Sequence, residues 1–245
     1  MPSPSAAPRS TRLPVLGTAV RRRDDESGSN AVADQDRARL ARELANAIEG
    51  DVRFSLHDRL LYATDASLYQ VEPLGVVIPA STDDAVRALR FCAERNLPIL
   101  PRGGGTSLAG QCTNRAVVLD LSPNCRRVLH IDAAARRVRV EPGITVDELN
   151  ETLAPTGLFF PPDPATSRHA NIGGCIGNNA AGARSIRYGR TSESVVSIDA
   201  CLADGERVHL GPCAGEHNPR VRALTERVAD VVRRHERLIR ERYPK

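Results

Sequence analysis

A short run of consecutive glycines is the feature that most constrains how this chain folds. An apolar stretch at 98–100 leads into Pro101 and Arg102, then into three glycines followed by Thr106 and Ser107. Glycine has no side-chain bulk and reaches positive φ angles, so successive backbone N–H groups can converge on one point. The natural occupant of such a concave loop is a phosphate or diphosphate. The sequence therefore predicts a strand that ends in an anion-binding loop.

A second stretch rich in glycine and asparagine lies at 171–182. Two such loops in one chain favour a long ligand with two ends, and we interpret the pair as a dinucleotide site. The first loop lacks the lysine of a P-loop, and Leu108 stands where a Rossmann fingerprint has its third glycine. The strand-like run 116–121 follows it without a helical pattern in between. A strand–loop–strand element is therefore expected to hold the phosphate, while a glycine-rich surface turn is the alternative for the three glycines alone.

The residues around the first loop have the pattern of a parallel crossover. A strand at 76–78, N-cap candidates at 81–83 and a second strand at 99–100 enclose an amphipathic helix. Strand–helix–strand units of this kind are parallel and right-handed. Farther along, strands at 128–131 and 137–141, a helix at 145–153 and a hairpin signal at Asp204-Gly205 predict antiparallel pairing.

Several segments, in order along the chain, resemble one flavoprotein family. They are residues 62–69, 73–79, 101–111, 140–145, 160–167 and 171–182. Together they are similar to the FAD-binding domain of the vanillyl-alcohol oxidase and p-cresol methylhydroxylase (PCMH) type. The resemblance implies an α+β fold with a small parallel α/β subdomain and a mainly antiparallel α+β subdomain. It is greatest to the branch that oxidises D-lactate, glycolate and related 2-hydroxy acids, often joined to an iron–sulfur segment.

The resemblance implies FAD as cofactor and assigns it a set of binding residues. These are Pro101, Arg102, Gly103, Gly104, Gly105, Thr106, Ser107, Gly143, Asp163, Thr166, Ser167, Gly173, Gly174, Asn178 and Asn179. Backbone N–H groups from Gly103 to Ser107 would meet the diphosphate without a lysine. Arg102 either assists them or faces outward, and the two asparagines either contact the flavin or form turns. Some relatives attach the flavin through a histidine where Thr106 stands here, which implies noncovalent FAD.

No residue is identified as catalytic. For His169, a hydrogen-bonding or exposed role is favoured over that of a general base. The six cysteines form no C-x-x-C or ferredoxin-like run, so no metal site is predicted. Cys175, within the second stretch, is interpreted as a small packing residue.

The chain divides into four segments. Residues 1–34 are expected to be a disordered tail, 35–74 a helical segment leading into the domain, 75–215 the PCMH-type FAD-binding domain and 216–245 a C-terminal amphipathic helix. In the resembling family a further strand segment and a substrate domain follow. The chain is therefore expected to stop before the domain is complete and to be the N-terminal part of a larger enzyme.

The expected function is FAD-dependent oxidation of a 2-hydroxy acid such as D-lactate or glycolate. Electrons would pass from the flavin to a downstream acceptor, such as an iron–sulfur segment or subunit. A catalytically incomplete FAD-binding subunit or fragment that needs a C-terminal substrate domain is the alternative. Reduction of a nucleotide sugar by the same fold is a third hypothesis. The substrate, the electron acceptor and the oligomeric state stay open.

Composition excludes two other classes of function. A net charge of +4 with interleaved acidic residues argues against nucleic-acid binding. Nothing approaches the run of about 18 apolar residues that a transmembrane helix requires. Because no export signal is visible, a cytoplasmic location is expected, with a peripheral place at the membrane left open.

Overall fold

The computed structural model describes residues 27–243. Its strands are β1 (Asp51–Arg53), β2 (Gly75–Ile78), β3 (Ile99–Arg102), β4 (Val117–Asp120), β5 (Val128–Asp132), β6 (Arg137–Val140), β7 (Ile198–Cys201) and β8 (Arg207–Leu210). Its α-helices are α1 (Ser27–Ala47), α2 (Leu56–Leu61), α3 (Thr82–Glu94), α4 (Val146–Leu153), α5 (Ile172–Asn178), α6 (Ser185–Tyr188), α7 (Ala214–His217), α8 (Pro219–Arg234) and α9 (Glu236–Arg242). Short 3₁₀ helices lie at Ala154–Thr156 and Thr191–Ser194.

The first half of the fold is a four-stranded sheet in the order β1-β2-β4-β3. Strands β2, β4 and β3 are parallel, and β1 pairs antiparallel with β2 at the edge. The predicted crossover from β2 through α3 to β3 is present, and β4 then inserts between its two strands. Strands β2 and β4 are buried along their whole length, as expected where both faces of a parallel sheet are covered.

Helix α3 covers one face of this sheet and is anchored at its start by two side chains. Ser81 is the N-cap and accepts a hydrogen bond from the N–H of Asp84 at 3.2 Å. The buried carboxylate of Asp84 in turn accepts the backbone N–H groups of Glu49, Gly50 and Ala80 at 2.8–2.9 Å. Burial by itself would raise the pKa of Asp84, but these N–H donors lower it below the usual value. Asp84 therefore joins the start of α3 to the segment that follows α1.

Helix α1 packs its apolar face on the same side of the sheet. The start of the segment 35–74, which was predicted to be helical, belongs to this helix, and Leu44 and the following Ile48 are buried in one cluster with Ala88 and Phe91 of α3. The helix already begins at Ser27, within the segment predicted as a tail. The rest of that segment, residues 1–26, lies outside the described residues.

The second half of the fold is built from antiparallel hairpins and two short helices. The hairpin of β5 and β6, helix α4 and helix α5 enclose their own hydrophobic cluster, with Ile144, Leu149 and Ile172 at its centre. Helix α4 begins with a complete capping box between Thr145 and Glu148. Strands β7 and β8 form the hairpin predicted at Asp204-Gly205. The α+β class, with a parallel subdomain and a mainly antiparallel one, is therefore confirmed.

The C-terminal segment differs from the single helix predicted there. Helix α8 ends at Arg234 and α9 begins at Glu236, with His235 between them outside helical geometry at φ −108° and ψ 13°. Neither proline nor glycine marks this break, so helical periodicity alone could not reveal it. Of the apolar positions on α8, Val221 is buried, whereas Val231 is about half exposed. Residues 244–245 lie outside the described range.

None of the helices found between residues 27 and 243 is long and apolar enough to cross a membrane.

Candidate cofactor site

The glycine loop lies at the carboxyl end of strand β3, as predicted. Pro101 and Arg102 are the last residues of that strand, so they belong to the sheet rather than to the loop itself. No helix intervenes before β4 begins at Val117, which confirms the strand–loop–strand arrangement. The site is therefore built at the edge where parallel strands end, a common position for ligands in such sheets.

One side of the glycine loop packs closely against the segment 169–171. A Cβ atom at Gly103 would overlap Oδ1 of Asn171, and one at Gly104 would overlap the carbonyl oxygen of His169. The N–H of Gly104 donates to Oδ1 of Asn171 at 2.6 Å. Gly104 was predicted to donate to the diphosphate together with its neighbours. That prediction is wrong for Gly104, because its N–H is already bound within the protein.

The last three residues of the loop keep their backbone donors available. In the described part of the chain, the N–H groups of Gly105, Thr106 and Ser107 have no hydrogen-bond acceptor. Gly105 has a φ of +66°, the left-handed conformation that the run of glycines predicts. Unpaired N–H groups in a half-buried loop are costly unless an acceptor meets them. Three successive donors of this kind fit the oxygens of a diphosphate.

Ser107 connects this loop to the second glycine-rich segment. Its hydroxyl oxygen accepts from Nδ2 of Asn178 at 3.3 Å and from the thiol of Cys112 at 3.5 Å. Because both neighbours donate, the hydroxyl proton of Ser107 is left to donate to a further acceptor. The structure thus brings together two predicted site residues, Ser107 and Asn178, that lie 71 residues apart in the sequence.

Arg102 is held inside the protein rather than turned outward. Its guanidinium donates to the carbonyl oxygens of Tyr62, Thr64 and Cys112 at 2.7–3.1 Å and lies over the Tyr62 ring. The Tyr62 hydroxyl donates to buried Asp120 at the end of β4 at 2.7 Å. Burial and this hydrogen bond raise the pKa of Tyr62. Arg102 therefore fixes residues 62–64 and the end of the loop to the sheet.

The second glycine-rich stretch is a helix, not the loop that its composition predicted. Residues Ile172–Asn178 form α5, and Asn179 ends it in the left-handed conformation at φ +47°. The backbone of Gly173 contacts Pro142, whereas Gly174 has open space where a side chain would stand. Asn179 thus ends the helix through its backbone, while its side-chain oxygen accepts the N–H of Ser192 at 2.9 Å. This left-handed backbone is the turn conformation that one of the two interpretations of Asn179 predicted, and its contact with the flavin stays a prediction.

The remaining predicted site residues differ in whether their polar groups already have partners within the protein. Asp163 accepts the N–H of Arg184 at 2.8 Å and pairs with its guanidinium, so its carboxylate holds the turn at 182–184. The hydroxyls of Thr166 and Ser167 have no partner in residues 27–243. Gly143 is buried where a Cβ would overlap the carbonyl of Leu121 at the end of β4. Gly143 thus brings two segments of the site together.

Asn171 is the residue of this site that sequence reasoning missed. Its side chain is only 4% exposed within a network that joins three segments of the site. Its place at the start of the second glycine-rich stretch was visible in the sequence, but that stretch was predicted as a loop, and an asparagine before a helix is more often its cap. His169 is exposed, and its carbonyl oxygen lies against Gly104 of the loop. Cys175 is buried, and burial raises its pKa to about 11, which agrees with a packing role.

Comparison with known proteins agrees with a flavin site. The model of the family described as FAD binding domain matches residues 73–211. The D-2-hydroxyglutarate dehydrogenase of Pantoea ananatis is 37% identical over 212 residues, which are 82% of this chain and 21% of that protein. The glycolate oxidase subunit GlcD of Bacillus subtilis is 36% identical over 155 residues, 62% of this chain and 33% of that one. The chain thus spans between a fifth and a third of the length of these relatives.

A solved structure, an alkyldihydroxyacetonephosphate synthase, matches with a TM-score of 0.64 at 22% identity. The match covers 71% of this chain and 35% of that one. At this level of identity the likeness concerns the fold alone.

Proposed function

The chain belongs to the family of FAD binding domains, since that family's model matches more than half of its residues, and from this premise we propose that it is the FAD-binding part of a 2-hydroxy-acid dehydrogenase. The observation that carries the proposal is the set of three N–H groups at 105–107 that have no acceptor within residues 27–243. They provide donors for the diphosphate without a lysine.

We propose a specific division of labour among the site residues. The N–H groups of Gly105, Thr106 and Ser107 and the Ser107 hydroxyl bind the diphosphate, and Asn178 orients that hydroxyl. Gly173, Gly174 and the hydroxyls of Thr166 and Ser167 lie along the rest of the cofactor. Pro101, Arg102, Gly143, Asp163 and Asn179 hold the surrounding backbone in place. When bound, FAD supplies a two-electron acceptor for hydride. Thr106 offers no nucleophilic ring nitrogen, so we propose noncovalent binding.

The substrate class is proposed from the names of the relatives. One relative is named for D-2-hydroxyglutarate and another for glycolate, and both compounds are small 2-hydroxy acids. We propose a substrate of this class, D-lactate included, with electrons leaving toward an acceptor such as an iron–sulfur segment or subunit. No catalytic base is assigned, because His169 is exposed and its ring has no hydrogen-bond partner within residues 27–243.

A second candidate is a subunit or fragment that holds FAD without turnover of its own. The observation that favours it is length, because the chain spans only 21% of the P. ananatis relative. In this case a C-terminal substrate domain, on the same or another polypeptide, would complete the enzyme.

Titration with FAD, followed by an assay with an artificial electron-accepting dye, distinguishes these proposals. We expect saturable binding of one FAD per chain, with quenched or shifted flavin fluorescence. Dye reduction with D-2-hydroxyglutarate, D-lactate or glycolate, and none with L-2-hydroxyglutarate or L-lactate, would establish the dehydrogenase in this chain alone. Binding without turnover would establish the incomplete subunit. A chain that takes up no FAD contradicts both.

A further inference from the structure

The side chain of Asn171 joins two segments that are far apart in sequence. Its Oδ1 accepts the N–H of Gly104 at 2.6 Å, and its Nδ2 donates to the carbonyl oxygen of Gly143. The side chain is buried, so these partners satisfy a polar group that water does not reach. One amide thus connects the glycine loop after β3 to the turn after β6.

This use of an asparagine at a helix start is unusual. An asparagine at the N-cap ordinarily accepts a hydrogen bond from the first turn of its own helix. Asn171 is the N-cap of α5, yet its side chain makes no such bond. The first N–H groups of α5, from Ile172 and Gly173, instead donate to the carbonyls of Ile144 and Pro142, each at 2.9 Å. The amide of Asn171 is therefore available to the glycine loop.

The glycine loop is shaped to receive this amide. A side chain at Gly103 would overlap Oδ1 of Asn171. A residue with a Cβ at 103 would displace the amide. The Asn171 side chain can therefore occupy this position only because residue 103 is a glycine. The N–H of Gly104 is bound to the amide, and the next three N–H groups have no acceptor among the residues that the structure describes.

We propose that Asn171 is a positioning residue of the FAD site. Its amide fixes the loop at Gly104, and this contact sets the direction in which the N–H groups of 105–107 are presented to the diphosphate. Asn171 itself does not touch the diphosphate in this arrangement. The inference rests on the proposed function for the identity of the ligand, but the shape of the loop can be measured without it.

Two substitutions separate the halves of the amide. Asn171→Leu keeps the approximate volume and removes both hydrogen bonds. Asn171→Asp keeps an acceptor for Gly104 but places a second oxygen against the carbonyl of Gly143. Asn150→Leu is the matched control, because Oδ1 of Asn150 likewise accepts a backbone N–H, that of Phe160 at 2.7 Å, away from the glycine loop.

We expect both Asn171 variants to bind FAD at least about tenfold more weakly. Asn171→Leu loses the buried bond to Gly104 of the loop, and Asn171→Asp loses the buried bond to Gly143 that holds the side chain in place for that contact. In the ligand-free chain, hydrogen exchange of peptides covering 101–112 should accelerate in both variants. In Asn150→Leu, exchange in these peptides and the FAD dissociation constant should stay within about twofold of the wild-type values. Far-UV circular dichroism identifies the variants that remain folded.

Gly103→Ala distinguishes a direct contact between positions 103 and 171 from a general loss of stability. In the wild-type background the added methyl group displaces the amide, so FAD binding should weaken. In an Asn171→Ala background the two overlapping amide atoms, Oδ1 and Cγ, are gone and only the Cβ at 3.1 Å remains, so Gly103→Ala should cost about threefold or less in affinity. This non-additivity reports direct contact between the two positions.

The outcomes separate the two proposals. Wild-type chain that binds no FAD overturns the proposed function, while exchange at 101–112 still decides whether Asn171 shapes the loop. Wild-type chain that binds FAD, with Asn171→Leu and Asn171→Asp binding equally well, overturns the role of Asn171. Unchanged exchange at 101–112 in both variants, or additive effects of Gly103→Ala and Asn171→Ala, overturns it as well.

Discussion

At the scale of single residues, the glycines of the two segments differ in whether the folded backbone requires them. Gly105 has φ +66°, and a Cβ there would stand 2.7 Å from the Arg102 guanidinium. Gly174 is helical, and nothing lies within 4 Å of the place where its Cβ would be. One glycine is therefore required by the fold of the free protein. Gly174, by contrast, could carry a side chain without a clash among the described residues.

Alanine at these two positions should have opposite effects on stability. We expect Gly105→Ala to lower the free energy of unfolding by about 1–2 kcal/mol, because a left-handed conformation is strained for alanine. We expect Gly174→Ala to raise it by about 0.5–1 kcal/mol, because alanine favours a helix over glycine. Urea denaturation of the ligand-free chain measures both. If Gly174 lies along FAD as proposed, Gly174→Ala also weakens FAD binding severalfold; unchanged affinity would remove Gly174 from the site.

Residue identity predicted some contacts of the site and not others. The positive φ at Gly105 and the meeting of Ser107 with the second segment follow the expectations from the glycine run and the family resemblance. The hydrogen bonds of Arg102 to three carbonyl oxygens were not predicted, because the sequence alone does not show which groups surround a guanidinium in the fold. Asn171 was hidden for the same reason, because its partners lie 67 and 28 residues away.

At the scale of elements, the sequence predicted the helices and strands whose capping residues and apolar spacing agree with the way they pack. Helix α3 has its cap at Ser81 and its apolar face at the expected spacing. Helix α5 is the counterexample, because glycine and asparagine occupy four of its seven positions and oppose a helix. Tertiary structure overrides that preference: Ile172 and Cys175 are buried in the second hydrophobic cluster, and carbonyls outside the helix satisfy its first N–H groups.

Asp84 gives a prediction about how two elements are joined. Asp84→Asn should destabilise the chain by about 2–3 kcal/mol at pH 7, because a carboxylate that accepts backbone N–H groups becomes an amide that presents donors to them. The folded-state pKa of Asp84 lies below its unfolded value. Its stabilising effect is thus complete above the unfolded pKa of about 3.9 and is lost as pH falls through the lower folded pKa. The gap between wild type and variant, measured by urea denaturation, should stay constant from pH 7 to pH 5 and narrow below about pH 4.

The neighbouring residue provides the control for this experiment. Asp83 is exposed and pairs with Arg207 on the surface, and this pairing lowers its pKa as well. Because solvent screens such a pair, Asp83→Asn should leave the denaturation midpoint near that of the wild type. Equal losses in Asp83→Asn and Asp84→Asn would contradict the role given to the buried carboxylate.

At the scale of the whole molecule, the proposed cofactor site lies between two separate hydrophobic clusters. One is formed by α1, α3 and the parallel sheet, and the other by the β5–β6 hairpin, α4 and α5. The polar bonds that cross between the glycine loop and α5 come from Asn171 and Asn178. A ligand held by the loop on one side and by α5 on the other would therefore add contacts to both clusters at once.

FAD should accordingly stabilise the two halves together. At a free concentration of about 100 times its dissociation constant, a ligand specific for the folded state adds about 2.7 kcal/mol to the free energy of unfolding. We expect hydrogen exchange to slow both in β2 and β4 and in α4, because unfolding either half would release the ligand. ADP contains the diphosphate but no flavin, so it should protect the loop 103–107 while giving a smaller rise in the melting temperature. Protection by FAD confined to the parallel sheet would mean that the cofactor contacts only the first glycine loop, and the two-sided site would then be wrong.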